Sequence, residues 1–368
     1  FAKSINNIKG LNFFREVDYS IKVDDQDRSK IIDITLEEKP TGEIFAGAGT
    51  GTNGATVSFG VKENNYLGRG VSVDTNASIS AESIRGRFIV ENPNYKNSDK
   101  SVSISVQASE DDKLSTFGYK SVRSGFSIGT NFEYYDDLFV GLSTENFIED
   151  INVTSKASSK QKKMAGNYLD SFISIDLNYD KRDQKFATSK GYYSFYNIDL
   201  PLLSDTGTLN NSYRYKYFTE LYDNNDSSFS LLLGSSFSVN DKDIKLSERL
   251  FIPGSELRGF ERGKIGPKDG DDFIGGNYMS AINLSSSVPK IFENSQNLDV
   301  SIFFDAASVW GVDYDESINE NNEIRTSVGI GMNWTTVIGP LSFSLAQPLT
   351  KANTDVTETF RFNLGTTF

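Results

Sequence analysis

The side chains able to do chemistry in this chain come from a restricted set. Among its 368 residues there is no histidine and no cysteine, and the formal net charge is −13. Without these residue types there can be no Ser-His-Asp triad, no thiolate nucleophile, no zinc ribbon and no disulfide. No acid, base and nucleophile converge in the remaining sequence, so we expect neither an enzyme nor a cofactor.

One acidic run could suggest a cation site. Asp269, Asp271 and Asp272 lie close together in a long polar segment that also contains glycine. Aspartate and glycine are common turn residues, so a solvated loop explains this run better than a metal centre. We therefore expect no metal. The acidic balance also argues against a nucleic-acid partner, which requires a basic surface.

The strongest pattern is strict alternation of apolar and polar residues over segments of about ten residues. Between residues 298 and 305 one face holds Leu298, Val300, Ile302 and Phe304. The other face holds Asp299, Ser301, Phe303 and Asp305. Successive side chains of a strand point to opposite faces, so each segment has one apolar and one polar face. Such segments run from about residue 43 to the C-terminus and predict sixteen strands with no helix between them.

A soluble β protein would show the same alternation, so other features must decide. The polar faces are rich in Asp, Asn, Ser and Gly, as a water-filled lumen would be, and aromatic residues make up 12% of the chain. Many of these aromatics lie near segment ends, where a membrane girdle would lie, and bacterial barrels have even strand numbers. The sequence therefore predicts an all-β membrane protein, a 16-stranded antiparallel transmembrane β-barrel formed by residues 41–368.

Two regions depart from this pattern. Residues 1–40 predict a short helix followed by two strands around the turn Asp24-Asp25-Gln26-Asp27, which together form a small α/β fragment. The connection at about residues 240–277 is the longest in the chain. Loops of that length are usually functional, so we expect a functional site there.

A series of motifs in and after this connection is highly specific in its order and spacing. It begins with Leu257-Arg258-Gly259-Phe260, continues with Gly266-Pro267 and Gly275-Gly276-Asn277, and ends with Phe360-Arg361-Phe362-Asn363-Leu364-Gly365-Thr366-Thr367-Phe368. Between these lie Phe303-Phe304-Asp305, Ile338-Gly339-Pro340-Leu341 and Gln347-Pro348. The whole series resembles the BamA superfamily of outer-membrane β-barrel assembly insertases. By this resemblance, residues 240–277 are similar to the family's loop six.

The resemblance implies roles for individual residues. Loop six would fold back into the lumen, where Arg258 would pair with Asp305, and the alternation independently places Asp305 on the lumen face. The family often has a second acid on the preceding strand, and Ser285 stands at the matching position here. The clamp would then be weaker, or Asp299 or another acid would substitute. On the alternative interpretation, Arg258 is a surface residue without a partner.

The resemblance also implies how the loop is folded. Phe260 would pack inside it, and Asn277 would bond backbone groups where the loop returns to the barrel. Glycines are expected to permit positive φ angles and close approach to the barrel wall, and these are Gly254, Gly259, Gly266, Gly275 and Gly276.

The second candidate site is the seam where the first and last strands would close the barrel. The first strand, residues 43–51, carries Phe45, Gly47, Gly49 and Gly51. The last strand, residues 358–368, carries Phe360, Phe362, Leu364 and Phe368 on its predicted lipid face, with Gly365 where its end could kink. Glycine inside a strand weakens it, so the seam could open and expose an edge to which another chain adds a strand. Alternatively, these glycines only accommodate packing in the lumen.

Together these features predict an outer-membrane protein insertase that templates client strands at a lateral gate. Its partners would be unfolded outer-membrane proteins, outer-membrane lipid and periplasmic accessory lipoproteins reached through POTRA domains. Residues 1–40 look like the end of the last POTRA domain, lying in the periplasm of a Gram-negative bacterium, with earlier POTRA domains absent from this chain. Two alternatives stay open. A two-partner polypeptide secretion pore of the same superfamily would share the loop motif, whereas a passive diffusion porin would explain only the barrel.

Overall fold

The computed structural model describes residues 2–23, 30–52, 54–185, 188–223, 225–288, 297–314, 318, 322–336 and 339–365. At the N-terminus, helix α1 (Ala2–Gly10) precedes an antiparallel hairpin of β1 (Phe14–Val23) and β2 (Lys30–Glu38). One helix and two strands are the elements that the sequence predicts for residues 1–40. Their assignment to a POTRA domain stays a prediction.

Sixteen further strands close into a single barrel in which every neighbouring pair is antiparallel. They are β3 (Gly42–Gly51), β4 (Gly54–Tyr66), β5 (Val71–Ser80), β6 (Ser83–Asn92), β7 (Lys100–Lys113), β8 (Tyr119–Tyr135), β9 (Leu138–Val153), β10 (Gly166–Asp180), β11 (Gly191–Ser204), β12 (Thr208–Thr219), β13 (Ser227–Ser238), β16 (Tyr278–Ser287), β17 (Leu298–Trp310), β18 (Arg325–Thr336), β19 (Gly339–Thr350) and β20 (Phe360–Leu364). Each strand pairs with its neighbours along the chain, and β20 pairs with β3 to close the circle. The predicted 16-stranded barrel is confirmed.

The two faces of the barrel differ as the alternation predicts. On β17, Ile302 points outward and is 54% exposed, whereas Asp305, three residues further along the strand, points inward and is fully buried. An outward-facing apolar band suits lipid, and an inward-facing polar surface suits a hydrated lumen. Among the residues described, no helix is long and apolar enough to cross a membrane.

The longest connection between barrel strands is loop six. Loop six, residues 239–277, joins β13 to β16 and contains a 3₁₀ turn (Leu246–Glu248) and a small hairpin of β14 (Lys268–Asp269) and β15 (Asp272–Phe273). A short helix, α2 (Ser159–Lys163), lies between β9 and β10. The expectation of no helix within the barrel region is therefore wrong. Ser158 and Gln161 form a reciprocal capping box that stabilises this single turn.

Loop six takes part in both apolar clusters inside the barrel. One buried cluster joins it to the connections that follow β7, β9 and β17, and its members are Phe117, Tyr119, Ile151, Met164, Leu246, Phe273, Ile274, Val312, Tyr314 and Ile318. A second cluster packs the loop against the wall, with Leu232, Ile252, Leu257, Phe260, Ile265, Ala281, Ala307 and Val309. Burial of apolar surface thus holds the loop within the barrel at two places.

Candidate functional site: loop six and the barrel seam

Arg258 fixes the tip of loop six to the wall. Its Nε and Nη2 atoms donate to Asp305 Oδ2 and Oδ1 at 2.8 and 2.7 Å, and its backbone N donates to Oδ2 at 3.0 Å. The Asp305 carboxylate is fully buried, and the guanidinium carbon lies 3.3 Å from the centre of the Phe303 ring. A bidentate, charge-assisted pair with one buried partner is among the stronger polar contacts in proteins. The structure thus brings Arg258 and Asp305 together.

An amide, rather than a second acid, completes this clamp. Asn283 lies directly opposite Asp305 on β16, and its Nδ2 donates to Asp305 Oδ1 at 3.0 Å and to the Glu256 carbonyl at 2.7 Å. Ser285 lies opposite Phe303. Asp299 lies opposite Asn333 and forms no ion pair with Arg258 in the described part of the chain. The suggestion that Asp299 replaces the missing acid is therefore wrong.

The backbone of the loop motif lies against the wall. Gly259 has a φ of +92°, and a Cβ atom there would lie 3.2 Å from the Ser327 Cβ atom and 3.3 Å from that of Ala346. Ser327 Oγ donates to the Arg258 carbonyl at 2.5 Å. Only glycine combines this conformation with so close an approach. On either side of this pair, Leu257 and Phe260 are buried in the second apolar cluster.

The loop returns to the barrel through a short backbone bridge. Gly276 exchanges two hydrogen bonds with Leu250, at 2.8 and 2.9 Å, and a side chain at Gly276 would overlap the Trp310 backbone. Gly275 and Gly266 have positive φ angles, whereas Gly254 and Gly276 do not. For these last two, close approach alone explains the glycine.

Asn277 makes one contact that the sequence did not suggest. Its Oδ1 accepts a hydrogen bond from Arg249 Nη1 at 2.9 Å, while its backbone N donates to the Gly311 carbonyl at 2.9 Å. The Asn277 side chain therefore bonds a buried arginine rather than a backbone group. Arg249 in turn forms an ion pair with Asp313, so this residue links the return of the loop to the connection after β17.

A buried ionic cluster that sequence reasoning missed anchors the first part of the loop. Lys245, 1% exposed, forms ion pairs with Glu149 on β9, Asp170 on β10 and the loop's own Glu248. Burial raises the pKa of Glu248, and the nearby Lys245 ammonium opposes that shift. The three ion pairs of Lys245 therefore attach this part of the loop to the barrel wall, and removal of the lysine would leave buried carboxylates without a cation. The signal available in the sequence was the inward-facing position of Glu149 and Asp170 on their strands.

A second missed residue is Arg361 on the last strand. Its side chain is almost fully buried and points into the lumen, where it bonds the carbonyls of Gly254 and Phe260 in loop six. The alternation alone places it inward, because its neighbours Phe360 and Phe362 were assigned to the lipid face. An inward-facing arginine between two aromatic residues was the usable signal.

Among the described residues, the seam is the least paired junction of the barrel. Strand β20 meets β3 in two residue pairs, Asn363 with Gly51 and Leu364 with Thr50. At the edge of the seam, the Thr52 backbone N donates to the Phe362 carbonyl, and Thr52 Oγ1 accepts from the Phe362 backbone N. Gly365 has a φ of +107°, in the left-handed region that favours glycine. Phe368, assigned to the lipid face, lies outside the described residues.

The glycines of β3 permit a close approach of the last strand. The inward-facing residues are Phe45, Gly47, Gly49 and Gly51. A Cβ atom on Gly49 would lie 3.0 Å from the Leu364 carbonyl, and one on Gly51 would lie 2.6 Å from the Phe362 carbonyl. A cavity of about 560 Å³ borders the seam from the lumen side. The seam is therefore short, tightly apposed and accessible from the lumen.

No group of residues at either site is suited to hold a metal. Among the described residues, no cluster of three or more acidic side chains has the geometry of a cation site. In the acidic run, Asp269 Oδ2 accepts hydrogen bonds from Ser158 Oγ at 2.6 Å and from the Tyr314 hydroxyl at 3.0 Å. The Asp269 carboxylate thus joins loop six to the β9–β10 connection and to the β17–β18 connection.

Comparison with known proteins places this geometry in a family. The family model described as the Omp85 superfamily domain matches residues 65–368. The chain belongs to the Omp85 superfamily. Among Omp85 relatives, the BamA protein of Neorickettsia risticii, named an outer membrane protein assembly factor, is 26% identical over 378 residues, which are 100% of this chain and 50% of that protein. The chain spans about half the length of the curated relatives it matches.

Solved Omp85 structures share the fold. BamA from Haemophilus ducreyi lacking POTRA domains 1–3 superposes with a TM-score of 0.87 at 23% identity, covering 99% of this chain and 77% of that one. CdiB from Acinetobacter baumannii gives a TM-score of 0.58 at 11% identity, covering 98% and 67%. The expected likeness to the BamA superfamily is confirmed, and the chain is an outer-membrane barrel of bacterial type.

Proposed function

We propose that this barrel folds and inserts other β-barrel proteins into the outer membrane, and that the seam between β3 and β20 is its lateral gate. Unfolded outer-membrane proteins are the clients. Their strands add to the edge of β3 and leave sideways into the lipid. Residues 1–40 form the end of a POTRA domain on the periplasmic side, through which accessory lipoproteins would be recruited.

The observation that carries this proposal is the length of the seam. Two residue pairs hold β20 to β3 in the described part of the seam, and each backbone hydrogen bond is worth about 1 kcal/mol net. An open strand edge in lipid leaves backbone groups unpaired, which is why barrels normally stay closed. A short seam limits the loss on opening. A client strand then restores the missing hydrogen bonds by adding to the exposed edge.

Loop six has a supporting part in this proposal. The Arg258–Asp305 pair fixes the loop inside the lumen, and the loop in turn fixes the shape of the barrel beside the seam. A secretion pore would instead need an open path through the lumen. Loop six fills the region along β13, β16 and β17 with buried side chains, which favours lateral release over passage.

The test is a reversible lock across the seam. Because the chain has no native cysteine, Thr50→Cys with Leu364→Cys gives one disulfide between directly opposed residues. The protein is placed in liposomes, and folding of an unfolded barrel client is followed with the pair reduced and oxidised. We expect folding to be at least ~10-fold slower after oxidation, because the template edge is then closed.

The matched control places the lock where no opening is needed. Leu142→Cys with Ile175→Cys joins two opposed residues of β9 and β10. Oxidation of this pair should leave the folding rate unchanged. If the seam lock has no effect, lateral release is wrong. If the reduced protein does not accelerate client folding at all, insertion is wrong, and a secretion pore becomes the better interpretation.

A further inference from the structure

The last strand and the segment before it are bound to loop six as well as to the first strand. Arg361 Nη2 donates to the Phe260 carbonyl at 2.7 Å, and its Nη1 donates to the Gly254 carbonyl. Both acceptors belong to loop six, on either side of the Arg258 clamp. A Cβ atom on Gly254 would lie 2.7 Å from the Arg361 side chain, so glycine is what admits the guanidinium there.

The segment before β20 is also joined to loop six, by a short backbone ladder. Glu358 N donates to the Gly259 carbonyl and Glu261 N to the Val356 carbonyl, both at 3.0 Å. Val356 N donates to the Lys264 carbonyl, also at 3.0 Å. The ladder begins at the residue that follows Arg258, so the clamp and the ladder act on the same stretch of loop.

Glu358 connects the ladder to the arginine. Its backbone belongs to the ladder, and its Oε2 accepts from Arg361 Nε and Nη2 at 2.8 and 2.6 Å. The Glu358 and Arg361 side chains are 15% and 9% exposed, so water screens this pair only weakly. The guanidinium is thereby held in one orientation, with both of its Nη atoms directed at carbonyls of the loop.

A movement of β20 away from β3 therefore disturbs loop six. Within the described residues, the seam contributes two residue pairs and the hydrogen bonds of Thr52 to the Phe362 backbone. The loop holds β20 and its leading segment through three backbone bonds and two arginine contacts. Two elements that share such contacts cannot change position independently, and the resulting coupling must act in both directions.

We propose that Arg361 is a positioning residue that couples loop six to the seam. Through this contact, the clamp at Asp305 sets how far β20 stays closed against β3. The inference deepens the proposed function, since it names the residue that would regulate the gate. The coupling itself is a property of the barrel alone and can be measured without any client.

The test uses two spin labels across the seam, on Ala46→Cys of β3 and Leu345→Cys of β19. Both side chains are exposed and face outward, away from the lumen that loop six occupies. Pulsed electron spin resonance in client-free liposomes gives the distribution of distances between the labels. We expect Asp305→Ala to broaden this distribution to longer distances, because the loop is then released from the wall.

Arg361→Gln should broaden the distribution by itself, and Asp305→Ala should add nothing in that background. Such non-additivity is expected when two residues act through one link. Additive effects, or an unchanged distribution in Arg361→Gln, overturn the proposal. If Arg361→Gln does not fold, Arg361→Lys keeps a cation beside Glu358 but cannot reach both carbonyls, and should broaden the distribution less.

Arg214→Gln is the matched control. Arg214 on β12 also holds loop six from the wall, since its Nη1 donates to Glu256 Oε1 at 2.8 Å, but it does not touch β20. In this background, Asp305→Ala should still broaden the distribution of distances between the two labels. Loss of the Asp305→Ala effect here would mean that any loosening of the loop, rather than Arg361, controls the seam.

A reciprocal measurement leaves Arg361 in place. With Thr50→Cys and Leu364→Cys, oxidation should slow hydrogen exchange in residues 254–264 at least threefold relative to the reduced form. Unchanged exchange overturns the coupling. If the coupling is found but the barrel does not accelerate client folding, the proposed function fails and the role of Arg361 stands.

Discussion

The wall formed by β8, β9 and β10 differs sharply from the seam between β20 and β3. Strand β9 pairs with β8 through sixteen residue pairs and with β10 through fourteen, whereas the described part of the seam has two. All three junctions are antiparallel and belong to one closed sheet. Stability is therefore distributed unevenly around the barrel, and we expect any opening to take place where hydrogen bonds are fewest.

Loop six is anchored on both sides of this division, by different means. On the wall side, Lys245 is buried among Glu149, Asp170 and Glu248. On the seam side, Arg361 bonds two carbonyls of the loop and one carboxylate. The wall anchor joins the loop to strands that are already extensively paired. The seam anchor joins it to the shortest strand of the barrel, so the loop can influence that strand.

The largest effect should come from breaking the wall anchor. Lys245→Met leaves three carboxylates close together without their cation, and removal of one partner from a buried ionic group costs about 3–5 kcal/mol. We expect the free energy of unfolding to fall by about that amount. Denaturant unfolding of the barrel in detergent micelles, followed by tryptophan fluorescence, measures it.

The control for this variant is Lys242→Met. Lys242 lies three residues earlier in the same loop and is exposed, so its replacement should change the free energy of unfolding by less than about 0.5 kcal/mol. Equal effects of the two substitutions would mean that the wall anchor contributes no more to the free energy of unfolding than an exposed surface residue does.

A smaller effect should come from crowding the seam. Gly51→Ala places a methyl group against Asn363 and the Phe362 carbonyl, and overpacking of this kind costs about 1–3 kcal/mol. We expect the last strand to separate more often, so that hydrogen exchange of the β20 amides becomes faster while that of β9 stays unchanged. Slower exchange in β20 would show that the glycine is not needed for close approach.

Gly86→Ala is the matched control on β6. An added Cβ atom there meets nothing within 4 Å. This substitution should leave exchange in both β20 and β9 as it is in the unchanged protein. A response in β20 to Gly86→Ala would mean that any strand glycine, and not the seam geometry, governs opening.

The smallest effect concerns pH at the wall anchor. Burial raises the pKa of Glu248, so the folded protein binds this proton more tightly than the unfolded chain. The contribution of Glu248 to stability is then present below its ordinary value of 4.5 and is lost as pH rises through the raised pKa. Glu248→Gln removes that loss. Its free energy of unfolding relative to the unchanged protein should increase with pH above 4.5.

The measurement is denaturant unfolding of Glu248→Gln and of the unchanged protein at a series of pH values. If the difference between their free energies of unfolding shows no dependence on pH, ionisation of Glu248 does not act on stability, and the wall anchor depends on packing alone.

The sequence predicted features whose cause is local. Alternation fixes which side chains face inward, and it placed Asp305 in the lumen and Ile302 in the lipid. The contact of Arg258 with Asp305 was expected from family resemblance, whereas Asn283 as their third partner was not. Which residues lie opposite each other depends on the register of β16 and β17, and the sequence pattern leaves that register open.

The amino-acid sequence by itself determined the strands, their two faces, their number and the position of the long loop, because each follows from periodicity and turn residues along the chain. The tertiary structure alone decided that Lys245 is buried among three carboxylates, that Arg361 binds loop six and that Asn363 and Leu364 pair with Gly51 and Thr50 at the seam. These contacts join residues far apart in sequence. Closure of the barrel and packing of the loop bring them together, and no local pattern specifies such distances.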